Sequence, residues 1–126
     1  MPQELVKVEA SYLTPDSCEE RKGEFALRRL FAGESTSLIH LCQKRNPRTG
    51  QVIETDEAKY GKLWLACSIS DCPILWQGKS WKELDTTTRV QVLEKCLEED
   101  MFVFLAQKAR QMRRFTEETE NLSEPQ

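Results

Sequence analysis

The sequence predicts an α+β domain: an antiparallel β-meander of about five or six strands, packed by one long C-terminal helix. Three observations lead there. The N-terminal half alternates apolar and polar residues between clusters of turn formers. The stretch from Leu63 to Leu105 holds all three tryptophans and much of the best core material. From Val90 onward, apolar residues recur at helical spacing.

The first strand is Leu5 to Leu13. Val6, Val8, Ala10 and Tyr12 share one face, and Lys7, Glu9 and Ser11 share the other. Thr14-Pro15-Asp16-Ser17 ends it, because proline supplies no ladder donor and Asp and Ser favour turns. Two readings compete between Ser17 and Gly33. Ser17 and Glu20 have capping-box spacing, but Gly23 interrupts the helical pattern. A turn at Arg21-Lys22-Gly23, then a strand carrying Phe25, Leu27 and Phe31, fits the sheet-like neighbours better.

Ser37 to Thr55 reads as a hairpin. Leu38-Ile39-His40-Leu41-Cys42 is one arm and Gln51-Val52-Ile53-Glu54 the other. Asn46-Pro47-Arg48-Thr49-Gly50 is the tip. Asp56 to Gly61 is a polar connection. Leu63 to Ile69 is apolar on both faces, which predicts a central strand. Asp71-Cys72-Pro73 turns the chain into a further strand, Ile74 to Gln77, closed by Gly78.

Two capping-box spacings follow, Ser80 with Glu83 and Thr88 with Gln91. They predict a short turn at 81–84 and a helix from Arg89. Its stripe is Val90, Leu93, Leu97, Met101, Phe104 and Leu105, extended by Ala109 and Met112; Val92, Cys96 and Val103 add a second ridge. Glu98-Glu99-Asp100 offers a break, with residues 101–106 as a buried strand beyond it. No Gly or Pro marks that break and the stripe stays in phase, so one continuous helix is expected. Residues 1–115 form a single globular domain. Residues 116–126 hold one leucine as their only large apolar group and read as a disordered acidic tail. Strands followed by one terminal helix are similar in layout to the PH-like superfold, a likeness silent on function.

A net charge of −3 gives no global field toward nucleic acid or an anionic membrane. No apolar run approaches the roughly 18 residues of a membrane span. The five cysteines are an odd count without repeating spacing, unlike a disulfide framework. The expectation is a soluble protein of the cytoplasm or nucleus, with no membrane partner.

His40 and Cys42 share a face if that segment is a strand, and Cys67 and Cys72 could meet across a turn. A zinc site can be drawn from them, yet neither C-x2-C nor H-x3-H occurs. The single histidine lacks the partners of a Cys–His enzyme. No catalytic residue, metal or cofactor is expected, and the chain reads as no enzyme. The leading expectation is a protein–protein interaction module, an adaptor or subunit that binds another protein or a second copy of itself. Its contacts would come from the 74–105 region, at Trp76, Trp81, Met101 and Phe104. The alternative is nucleic-acid binding through a basic hairpin tip (Lys44, Arg45, Arg48) and a basic helix end (Arg110, Arg113, Arg114).

Overall fold

The computed structural model describes residues 5–123, with side chains over 5–111. The architecture is α+β, with five strands in two antiparallel sheets and four α-helices among the described residues. It is neither one continuous meander nor a set of strands followed by one helix.

Strand β1 (Leu5–Leu13) follows its alternation and pairs along its whole length with β2 (Glu20–Arg28), from Leu5 opposite Arg28 to Leu13 opposite Glu20. The chain reverses at Thr14–Cys18, where Cys18 takes a left-handed φ of 53°. Arg21-Lys22-Gly23 therefore lies inside the ladder, not in a turn. Gly23 is required there because a Cβ would collide with the ring of Pro73. The strand stops at Arg28, so Phe31 is no sheet residue; it precedes the first helix and is 69% exposed.

Leu38 to Cys42 is not a strand. It belongs to α1 (Ala32–Leu41) and the residue that ends it. Glu34 reaches back to accept the Phe31 N–H at 3.1 Å and is held by the two terminal nitrogens of the Arg28 guanidinium, at 3.0 and 2.7 Å. The hydrogen bond from Arg28 keeps the Glu34 carboxyl below its ordinary pKa. Thr36 and Ser37 donate to backbone carbonyls one turn back, so the polar run is satisfied within the helix. Burial of Leu38 against Leu63 decides the outcome. The expected hairpin survives only as β3 (Gln43–Arg45) and β4 (Val52–Thr55), with its tip at 46–50 as expected.

The predicted central strand, Leu63 to Ile69, is instead the second half of α2 (Glu57–Ser68) and the residue that ends it. Asp56 caps it, accepting from the Lys59 N–H at 3.0 Å. Leu63, Trp64, Leu65 and Ala66 are all buried because other helices and the sheet surround this one. An apolar run covered on every side fits a buried helix as well as a buried strand. Only Ile69–Asp71 is strand (β5), added to the far side of β2. Ile74 to Gln77 forms no strand either. A single bridge joins Trp76 to Lys79 across a turn with positive φ at Gln77 and Gly78.

The turn at 81–84 is present as a 3-10 turn, Trp81–Glu83. Glu83 accepts from the Ser80 N–H and hydroxyl at 2.7 and 3.1 Å. The following helix, α3 (Thr86–Cys96), begins before Arg89, because Asp85 caps it through the Thr88 N–H. The threonines thus occupy the first turn, where backbone N–H groups have no partner one turn back to satisfy. The expected single helix is two. Leu97 leaves helical geometry and α4 (Glu99–Ser123) starts afresh, so residues 101–105 are helical but on a separate rod. The tail expected over 116–126 falls where side chains lie outside the described residues. No helix among the described residues is long and apolar enough to cross a membrane.

The core joins Phe25 and Leu27 of β2 to Leu65, Ile69, Trp81, Leu93 and Leu105. Gly61 on α2 has nothing within 4 Å of an added Cβ. Gly61→Ala should therefore stabilise the fold by about 0.5–1 kcal/mol, whereas Gly23→Ala should cost on the order of 1–3 kcal/mol. Denaturant midpoints of the two variants would check the opposite signs. Trp81→Phe, which removes the donor to the Ile69 carbonyl, should lower stability by about 1–3 kcal/mol in the same titration.

Candidate functional site

In the sheet order β1-β2-β5, β1 is an outer strand, and among the described residues only β2 pairs with it. Alternate residues of an antiparallel strand turn their N–H and C=O away from the partner strand. The nine residues of β1 thus present an outward row of backbone donors and acceptors. At its start Leu5 and Val6 are 43% and 39% exposed. Val6 lies on the same strand face as buried Ala10, so the apolar face is left uncovered at this end. Lys7, on the other face, makes an exposed ion pair with Glu24 at 3.6 Å.

Helix α4 runs close to this strand. Met101 and Phe104, both half-buried, join Glu9, Ala10, Ser11 and Lys22 around a groove of about 280 Å³. Lys108 holds its ammonium 5.6 Å from the Phe104 ring. Of the two apolar ridges expected on one C-terminal helix, Val92, Leu93, Cys96, Leu97, Leu105 and Ala109 are buried in the core, while Met101 and Phe104 lie half-buried beside the open strand.

The other two expected contact residues are elsewhere. Trp81 is completely buried and belongs to the core, so it offers no surface to a partner. Trp76 is half-buried, with Lys95 5.6 Å from its ring. It lines a separate groove of about 360 Å³ with Leu84, Asp85 and Thr88. Met101 and Phe104 share one groove, and Trp76 does not join them.

A larger cleft, about 490 Å³, opens between α2 and α4. Ile39, Thr55, Tyr60, Trp64, Phe102 and Arg110 contribute to its wall. The sequence offered no sign of it, because its walls exist only once residues 32–41 and 57–68 are helical.

The basic residues are dispersed. Lys44, Arg45 and Arg48 are exposed around the β3–β4 tip. Arg45 is used internally, donating to the Gly50 carbonyl at 2.9 Å and the Gln43 amide oxygen at 3.0 Å. Glu54 stands opposite Lys44 in the ladder. Arg110 lies on the α2–α4 cleft, and the side chains of Arg113 and Arg114 lie outside the described residues.

The His40–Cys42 pairing dissolves with the strand that implied it. On a helix, residues two apart do not face one another. His40 is exposed, with Nδ1 3.3 Å from the Arg45 guanidinium, while Cys42 is buried. No group of three or more His, Cys, Asp or Glu among the described residues could hold a metal ion. Burial pushes the Cys72 thiol up to about 12 and the Cys96 thiol up to about 11, and raises Cys42 and Cys67 in the same direction. Only Cys18 is exposed. At about pH 8 the native protein should release one equivalent of chromophore quickly from a disulfide reagent, and the remaining thiols should react only on unfolding. Two or more fast thiols would contradict this.

Compared with family models, with curated proteins and with solved structures, the chain finds no match in any of the three.

Proposed function

We propose that the chain is a non-enzymatic protein–protein interaction module that accepts a partner's β-strand along the free edge of β1. The open edge is the observation that carries this reading. Edge strands that must stay unpaired are usually short, broken by proline, or guarded by a charge pointing inward. β1 is nine residues long, contains no proline, and carries valine at the exposed end of its apolar face. In strand addition, main-chain hydrogen bonds supply affinity and pockets for alternate side chains supply selectivity. The groove at Met101 and Phe104 is placed to take such side chains. The contact region expected over 74–105 narrows to those two residues and extends to β1. The nucleic-acid alternative draws less support, because Arg45 is engaged within the hairpin and Glu54 faces Lys44.

Val6→Lys tests the reading. It sets an ammonium on the apolar face of the edge at a site exposed enough to tolerate it. Proteins captured by the wild-type chain should bind this variant at least about tenfold more weakly, with circular dichroism unchanged. Ile53→Lys, at a 60% exposed apolar site on the hairpin, should capture normally. Capture that survives Val6→Lys and is lost with Ile53→Lys would put the contact surface elsewhere.

A further inference from the structure

We propose that the strand received by β1 is β1 of a second copy, paired antiparallel about a two-fold axis at Val8. This rests on the reading of β1 as the interaction edge and names its partner. The argument is one of register. Pairing that keeps both apolar faces on one side must place residues of the same strand face opposite each other, so the axis passes through a residue. The outer face of β1 carries Lys7 and Glu9, two positions apart. An axis at Lys7 would set lysine against lysine, and one at Glu9 would set glutamate against glutamate. An axis at Val8 sets Lys7 against Glu9 twice, once on each side. Opposite charges directly across a ladder attract and like charges repel, so one register is favoured and its neighbours are opposed. A lone lysine on this edge would be a guard against pairing; the glutamate two residues on makes it a complement to a second copy.

The apolar face agrees with the same register. Val8 meets its own copy, and Val6 stands opposite Ala10. Ala10 borders the groove lined by Met101 and Phe104. The valine left 39% exposed in one copy is thereby brought beside Ala10 at the rim of the other copy's groove. The sheet that holds β1 has three strands in each copy, so the pair of copies would form one sheet of six.

The test uses the full chain and its mass in solution across a concentration series. The wild type should reach twice its 14.6 kDa mass. Lys7→Glu and Glu9→Lys should each weaken the dimer about tenfold or more, through two like-charge contacts apiece. An equimolar mixture of the two variants should restore it, because both opposed pairs are then of opposite sign. High salt should narrow the gap between wild type and variants. Both sites are exposed, and circular dichroism checks that the variants fold. A wild type that stays monomeric up to about a millimolar overturns self-pairing, as does a dimer indifferent to both charge reversals. If the chain is monomeric yet loses a captured partner with Val6→Lys, self-pairing falls and the edge reading stands. If capture also ignores Val6, both fall.

Discussion

The indole of Trp81 fixes how the two halves of this chain meet. Its Nε1–H donates to the Ile69 carbonyl at 2.9 Å, and its own carbonyl accepts from the Arg89 side chain at 3.1 Å. The Arg89 guanidinium also lies 5.2 Å from the ring. One residue thus ties the last strand of the sheet to the 3-10 turn and to α3. A buried indole N–H without an acceptor is costly, so this arrangement tolerates little displacement of β5 relative to α3. Trp81 shares one core with Phe25 and Leu27 of β2, Leu65 of α2 and Leu105 of α4.

The parts of the fold legible in the sequence are those decided locally. β1 reads correctly because its alternation is clean, and the turn after Ser80 because the cap residues make the bonds their spacing implies. Two of the misread segments, 38–42 and 63–69, are short apolar runs whose period does not separate helix from strand. What decides them is distant in sequence: Leu38 packs on Leu63, and α2 is enclosed by elements still to be placed. A local signal did exist in each case. Glu34 lies three residues after Phe31, and Asp56 stands one residue before α2. Asp85 was a comparable signal for α3, overshadowed by the more familiar spacing of Thr88 and Gln91.

The candidate site was legible only in its components. The apolar stripe on the C-terminal helix could be seen, and Met101 and Phe104 do border an open surface. Which tryptophan is buried could not be read, because an indole suits a core and a contact surface equally well. The edge position of β1 was hidden for a different reason. Its alternation was plain, but whether a strand lies at the edge of a sheet depends on strand order, and strand order is a property of the whole fold.

The two edges of this sheet are not equivalent. β1 offers nine residues, whereas β5 offers three. The carbonyl of Ile69, in β5, is already taken by Trp81, and Ile69 itself is 1% exposed. A sheet open on both sides can add units without limit and grow toward a fibre. Here the short edge at β5 offers little to a further strand, so the pairing of copies proposed along β1 would stop at a closed pair. The long exposed strand is thereby compatible with a protein that forms finite complexes.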